Sequence, residues 1–169
     1  KGGNDTINDS KFNDTITGGE GIDSISAAAG GSDTFVFATG DASSGGVSFK
    51  SFDKILSFNS SNDKLDFSNT PTAQGEKSAS ATFKGSAGTV SSDANGKITF
   101  SALSGGVEDE LAAVRKLVTE DGDVGFFELN DGLNGIGTYV YQENGGADGN
   151  DTDDLFIFLK GVTGINDID

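Results

Sequence analysis

The chain has 169 residues, with 27 Asp and Glu against 11 Lys and Arg, for a formal net charge of −16. So acidic a chain disfavours nucleic acid and anionic lipid, both of which need a basic patch, and suits a multivalent cation. It contains no cysteine and no histidine, which excludes disulfides, thiolate metal sites, the usual zinc ligand and every Ser-His or Cys-His dyad.

The length fits one or two domains with a real core, although the apolar share, 34%, is low for a globular protein. Glycine occurs 26 times against a single proline, Pro71, which points to tight turns rather than a stiff linker. No apolar run approaches the length of a membrane span, and no N-terminal hydrophobic signal region is present. Methionine is absent and the chain starts in mid-repeat. It therefore reads as a piece of a longer protein, in which the missing N-terminal signal says nothing about export.

Asp5, Asp14 and Asp23 stand nine residues apart, and Ile7, Ile16 and Ile25 follow each by two. After a one-residue insertion the pattern continues as Asp33 and Phe35. Aligned on the aspartate, the units read KGGNDTIN, DSKFNDTIT, GGEGIDSIS and AAGGSDTFV. This is G-G-x-G-x-D-x-U-x, where U is a large apolar residue, the nonapeptide of calcium-binding parallel β-helices. Each unit predicts a turn followed by a short strand, with successive strands alternating between two parallel sheets. Ile7, Ile16, Ile25 and Phe35 then point inward, while Thr6, Thr15, Ser24 and Thr34 face water. Turn-forming preference alone explains the Gly, Asn and Asp content. It does not explain a nine-residue period kept by both Asp and Ile.

Two units per coil place Asp5 under Asp23 and Asp14 under Asp33. At a strand spacing of about 4.8 Å, two carboxylates repel by about 1 kcal/mol in water and about 3 kcal/mol at an effective dielectric near 20. A thin isoleucine core cannot absorb that, whereas a hard divalent cation between the coils reverses its sign. Calcium accepts six to eight oxygens in irregular cages, while magnesium demands stricter octahedral geometry and keeps its waters. The repeat glycines let turn carbonyls aim inward. The metal-free segment is accordingly expected to be largely unfolded, with binding energy becoming folding energy.

Beyond the repeats, strand-like runs are separated by Gly, Asn, Asp and Ser turns: 47–50, 53–58, 64–67, 81–84, 97–100, 124–129, 138–142 and 154–160. Their alternation and aromatic content predict an antiparallel sandwich. The polar stretch 68–80 reads as a loop. A helix is expected near 105–119, because Val107, Leu111, Val114 and Leu117/Val118 fall at helical spacing behind Glu108 to Glu110, and its apolar stripe reads as core. The loop 143–155 gathers Asp148, Asp151, Asp153 and Asp154 without the glycine and terminal glutamate of an EF-hand. It reads either as a separate calcium loop or as a solvated hairpin tip. Paired carboxylates invite comparison with a glycosidase dyad, but nothing marks a cleft, and the chain reads as no enzyme. Any catalysis would belong to a part of the parent protein upstream.

The repeat residues resemble the RTX, or hemolysin-type, calcium-binding repeat family. The stretches GGSDTFVFATGDAS (30–43), FDKILSFNSSNDKLDFS (52–68) and GTYVYQENGGADGNDTDDLFIFLKGVTGI (137–165) are similar to the C-terminal regions of serralysin-type proteases and RTX surface-layer proteins. The resemblance implies an all-β fold: a short parallel β-roll over residues 1–37, then a β-sandwich-like cap with one helix over 38–169. It also implies export through type I secretion machinery, an extracellular or bacterial cell-surface location, and several bound calcium ions. Carried onto this chain, one ion would take Asp5 and Asp23 with the carbonyls of Lys1, Gly3, Gly18 and Glu20. A second would take Asp14 and Asp33 with the carbonyls of Ser10, Phe12, Ala28 and Gly30. A third would join Gly19, Gly21 and Asp23 to Asp41 or Asp53. Asp9, Ser10 and Phe12 replace motif glycines, and Phe12 occupies a turn position that favours positive φ. Together with the insertion near Ala27, this weakens the Asp14–Asp33 site.

The implied role is to couple calcium binding to folding and stabilisation outside the cell. One alternative is a surface-layer or adhesin module that assembles copies of itself through calcium. Others are the C-terminal domain of a secreted metalloprotease and a calcium-dependent carbohydrate-binding module.

Overall fold

The computed structural model describes residues 2–39, 41, 52–68, 72–73, 75–83, 86–101, 107–130, 132–145 and 154–166. Within them the fold is mostly β with a single helix. In chain order the elements are β1 (Thr6–Asn8), β2 (Thr15–Ile16), β3 (Ser24–Ser26), β4 (Thr34–Phe37), β5 (Asp53–Leu56), β6 (Lys64–Phe67) and β7 (Thr72–Ala73). There follow β8 (Lys77–Phe83), β9 (Ser86–Ser92), β10 (Ile98–Phe100), α1 (Val107–Val114), β11 (Asp123–Asn130), β12 (Ile136–Gln142) and β13 (Leu155–Lys160). The expected strand at 47–50 lies outside the described residues. No described helix is long and apolar enough to cross a membrane.

The first six strands alternate between two parallel sheets, β1-β3-β5 and β2-β4-β6. Registers follow the repeat: Ile7 pairs with Ile25, and Ile16 with Phe35. The one-residue insertion is absorbed in the turn before β4 and leaves this pairing intact. Ile25 and Phe35 are fully buried, Ile16 is buried and Ile7 half-buried, as a short apolar seam between two sheets requires.

The parallel pairing does not stop at residue 37. Ile25 pairs onward with Ile55, and Phe35 with Leu65, so β5 and β6 are further rungs of the two sheets. This corrects the expectation that 53–58 and 64–67 pair antiparallel in a sandwich. Asp53-Lys54-Ile55 and Asp63-Lys64-Leu65 keep the aspartate–apolar offset of the repeat while longer turns hide its period.

β5 also pairs in parallel with β13, which continues through the antiparallel strands β12 and β11 to a short parallel β7. The result is one seven-stranded mixed sheet, β1-β3-β5-β13-β12-β11-β7, buried on both faces in its second half. Leu155, Ile157 and Leu159 of β13, with Val140 and Phe126, share a core with the Ile16, Ile25 and Phe35 seam. The intervening Phe156 and Phe158 face the opposite core, with Tyr139, Tyr141 and Phe127. Two buried faces explain why 155–159 is an unbroken apolar run instead of an alternating one.

The second core is closed by a three-stranded antiparallel sheet, β10-β9-β8, and by α1. β9, of sequence SAGTVSS, was invisible as a strand because its inward positions are mostly small. β7 and the start of β8 likewise fall within the stretch expected to be loop. The helix is shorter than 105–119. It runs over Val107–Val114, with Glu108, Asp109 and Glu110 at its positive N-terminal end, and tightens through Leu117 N–H donating to the Val114 carbonyl. Leu111, Val114, Leu117 and Val118 are buried, in line with a stripe that packs against the core.

Asp154, expected in a calcium loop or a solvated tip, is fully buried at the foot of β13. Its Oδ2 accepts the Tyr141 hydroxyl at 2.9 Å and its Oδ1 the Asn144 N–H at 3.1 Å, while the same hydroxyl lies 2.8 Å from Glu143 Oε2. Burial and these carboxylates raise the Tyr141 pKa far above that of a free phenol. Asp148, Asp151 and Asp153 lie outside the described residues.

Removing Phe156, which is fully buried among Phe52, Phe127 and Tyr139, is expected to cost about 3–5 kcal/mol of unfolding free energy. Phe12→Ala, at a side chain 66% exposed, is expected to stay within about 0.5 kcal/mol. Urea unfolding of the two variants in the same buffer makes the comparison.

Candidate metal centre

The aspartates that open the first six strands are bound to one another through a repeated contact. Asp5 N–H donates to Asp23 Oδ1 at 2.7 Å, and Asp23 N–H to Asp53 Oδ1 at 2.8 Å. On the other sheet, Asp14 N–H donates to Asp33 Oδ1 at 2.9 Å, and Asp33 N–H to Asp63 Oδ1 at 3.0 Å. Asp23, Asp53, Asp33 and Asp63 thus each spend one oxygen on the backbone of the aspartate one rung away in its own sheet.

The other oxygen is left over. Oδ2 of Asp23, Asp33 and Asp53 is buried and has no hydrogen-bond partner. These three residues are 1%, 1% and 0% exposed. Buried polar atoms without partners are rare, because each gives up hydration for nothing. That the same atom is left over on three repeat-related aspartates marks a shared requirement.

The turns between rungs are stacked tightly enough to fix where their oxygens lie. Gly3 N–H donates to the Glu20 carbonyl at 2.7 Å, and Gly21 N–H to the Asp41 carbonyl at 3.1 Å. Asn4 Oδ1 accepts the Ile22 N–H, and Asn13 Oδ1 the Ser32 N–H. Gly21, at φ +136°, leaves no room for a side chain, since a Cβ there would stand 2.5 Å from the Gly3 carbonyl oxygen. A Cβ on Gly18 would collide with Asp23 Oδ2, so that oxygen looks directly onto its own turn.

The expected ligand sets divide accordingly. Asp5, Gly3, Gly18, Glu20 and Asp23 come together on adjoining turns, while Lys1 lies outside the described residues. The Glu20 carbonyl is engaged in part by Gly3. Gly19, Gly21, Asp23, Asp41 and Asp53 also converge: Asp41 is buried, its carbonyl meets Gly21, and its Oδ2 accepts the Ala38 N–H at 2.8 Å.

The Asp14 turn is built differently. Asp14 Oδ2 accepts both the N–H and the hydroxyl of Ser10, at 2.7 and 2.8 Å, and Ser10 Oγ in turn accepts the Phe12 N–H. Phe12 does not take a positive φ; Ser57, at φ 64°, is the only non-glycine residue among those described that does. Side-chain hydrogen bonds therefore close this turn where motif glycines are missing, and Phe12 is displaced into solvent. Asp9, another departure from the motif, accepts the Ala29 N–H with both its oxygens, at 3.1 and 3.0 Å. Ala28 and Gly30 border a hollow together with Asp33 and Asp63. Asp63 was missed in the sequence. Its signal was the Asp-Lys-Leu offset, ten residues after the same offset at Asp53.

Among the described residues, no group of three or more Asp, Glu, His or Cys side chains forms a metal site by itself. A cation here must draw on turn carbonyls as well as paired carboxylates, which is the oxygen-rich and irregular environment that calcium tolerates. The unpaired Oδ2 atoms and the close glycine turns fit such an ion.

Burial pushes the Asp53 carboxyl up to about 8, with the charges of Asp23 and Asp41 adding to it and the hydrogen bond from Asp23 N–H opposing it. Asp23 is raised as well, first by burial and then by Asp5 and Asp41, against the hydrogen bond from Asp5 N–H. In the absence of metal Asp53 favours the protonated form at neutral pH, and burial shifts Asp23 in the same direction.

No protein-family model and no curated protein matches this chain.

Because the folded Asp53 carboxyl holds its proton to about pH 8 while an unfolded one releases it near 3.8, its stabilising effect is complete at acid pH. It is lost as pH rises towards 8. In excess chelator the urea midpoint is therefore expected to fall between pH 5 and pH 8, and Asp53→Asn is expected to flatten that fall. An equal slope in the variant would remove Asp53 as its source.

Proposed function

We propose that the strands β1 to β6 and the described turns between them form a calcium-binding parallel β-roll and that this chain belongs to a larger extracellular protein exported by type I secretion. In this reading its task is to couple ion binding to folding and to close the end of the roll with the C-terminal sheets. The observation that carries it is the set of buried Oδ2 atoms on Asp23, Asp33 and Asp53, each without a partner while its Oδ1 ties the rungs.

With both carboxylates of a rung pair ionised and no cation present, the ladder combines repulsion between neighbours with uncompensated burial. The Coulomb part alone is about 3 kcal/mol per pair at an effective dielectric near 20, and desolvation adds to it. Calcium supplies the missing positive charge at each turn. Asp5 and Asp23 would hold one ion with the carbonyls of Gly3, Gly18 and Glu20; Asp23, Asp53 and Asp41 would hold another against Gly19 and Gly21. The Asp14–Asp33 pair is the weaker member, because Asp14 Oδ2 already serves Ser10.

In the reducing, calcium-poor interior of a cell such a chain stays open and suits export. In millimolar calcium it closes. The absence of cysteine is consistent with a fold whose extracellular staple is an ion rather than a disulfide. Catalysis has no part in this proposal.

Circular dichroism during calcium titration is the direct test: a cooperative gain of β-structure is expected, reversed by chelator. Asp23→Ala removes the acceptor of Asp5 N–H and one charge from two neighbouring sites, and is expected to raise the calcium midpoint by roughly tenfold or more, about 1.4 kcal/mol. Asp41→Ala, at the margin of one site, is expected to shift it less. A spectrum fully folded in chelator and unchanged by calcium would sink the proposal.

A further inference from the structure

We infer that the groove between turns 57–60 and 160–163 binds a saccharide through a single carboxylate, as on a uronic acid residue in an otherwise neutral glycan. The ligand is held without a metal, so the site is separate from the aspartate ladder and goes beyond the function proposed above. The groove follows from how two paired strands end. β5 and β13 run parallel, with Leu56 beside Lys160 as their last pair. The next residues, Ser57 and Gly161, both take left-handed backbone, at φ 64° and 79°. The two chains part at this level around a space of about 490 Å³. Gly161 adopts that conformation freely, whereas Ser57 adopts it in spite of its side chain and so keeps a hydroxyl on the groove wall.

The chemistry of this wall reverses that of the rest of the molecule. Acids outnumber bases by 27 to 11 along the chain, yet the lining holds no carboxylate and a single cation, Lys160. The carboxylates that touch these turns are already committed. Asp63 accepts the Asp33 and Asn59 N–H groups, and Glu128 accepts the Gly164 N–H at 2.6 Å. Lys160 is exposed and forms no ion pair among the described residues. Around it stand the hydroxyls of Ser57, Ser60 and Thr163, none of them hydrogen-bonded among the described residues. Asn59 Oδ1 accepts the Ser61 N–H at 3.1 Å, which leaves the amide NH2 as a donor. The floor is apolar: Phe58 is half-buried with its ring centroid 5.8 Å from that of Phe35, and Val162 is buried.

These groups select their ligand. One ammonium matches one unit of negative charge, as on a carboxylate, whereas a phosphate is better met by a guanidinium fork or a helix N-terminus, and the groove has neither. Hydroxyls that both donate and accept, beside an amide donor, match the hydroxyls of a sugar, and the apolar floor suits the C–H face of its ring. A free amino acid would bring an ammonium as well as a carboxylate, and the lining offers that ammonium no acid. The net charge of −16 repels a polyanion, which limits the ligand to an isolated acidic residue.

Methyl β-glucuronide is titrated into the isotope-labelled full chain in calcium, beside methyl β-glucoside and inorganic phosphate, and the backbone amides are followed by heteronuclear NMR. The expected result is saturable movement confined to the amides of 57–60 and 160–163, with the glucoside and phosphate each roughly tenfold weaker than the glucuronide. Lys160→Gln, at an exposed position, is expected to bring the glucuronide down to the level of the glucoside. Should that variant lose its dispersed spectrum, Thr163→Ala decides, and is expected to weaken both glycosides alike. No movement at these amides, a glucoside or phosphate that binds as tightly as the glucuronide, or a variant that binds like wild type overturns the site. Each of these outcomes leaves the calcium reading standing, because the calcium-dependent folding of the same sample is read without any sugar.

Discussion

The aspartates at the strand starts tie one rung to the next, each reaching a backbone N–H with a single oxygen. In four successive contacts, Asp23, Asp53, Asp33 and Asp63 use Oδ1 in this way, at 2.7–3.0 Å. The contact aligns the two parallel sheets and sets their register, and it has a consequence. In Asp23, Asp33 and Asp53 it leaves a second oxygen in the interior with no partner. The arrangement that holds the ladder in line also concentrates negative charge inside it, so its stability turns on what neutralises that charge. A proton does so at acid pH, as the raised Asp23 and Asp53 values indicate. Under the reading proposed above, calcium does so at neutral pH.

This constraint reaches beyond the ladder because the ladder has no separate core. Asp53 opens β5, whose Ile55 packs in the isoleucine seam and whose backbone pairs with Ile157 to Lys160 of β13. Its neighbour Phe52 lies on the other side of the sheet, against Tyr139, Phe156 and Phe158. The segment Phe52 to Ile55 therefore joins the acidic column to both cores. The seven-stranded sheet runs from the acidic column into the C-terminal strands without a break.

The departures from the repeat are compensated locally. Where the second unit lacks glycines, Asp14 and Ser10 close the turn through side-chain hydrogen bonds, and Asp9 secures the neighbouring turn by accepting the Ala29 N–H. These contacts stabilise the turn without a cation, but they also occupy oxygens that the repeat otherwise leaves open. Glycine turns and side-chain-closed turns are therefore not equivalent: the first present vacant oxygens, the second use them up.

Several features were legible in the residues alone. The nine-residue period of Asp and Ile dictated β1 to β4, their parallel pairing and the burial of Ile16, Ile25 and Phe35, because in a regular stack sequence spacing is spatial spacing. Helical spacing of Leu111, Val114 and Leu117 located α1, and aromatic runs located β11 to β13. Other features were decided only in three dimensions. The spacing from Asp33 to Asp53 and on to Asp63 keeps no nine-residue period, so the place of β5 and β6 in the ladder is shown by the pairing of Ile55 with Ile25 and of Leu65 with Phe35. The Ser- and Gly-rich β9 has little apolar signal and becomes a strand by lying between β8 and β10. Asp154 and Glu143 look like solvent residues in a polar loop, yet the Tyr141 hydroxyl and the closing of the sheet bury them. Local spacing can announce a repeated unit, but which oxygen is left unsatisfied depends on which backbone N–H arrives from a distant rung, and only the folded chain brings it there.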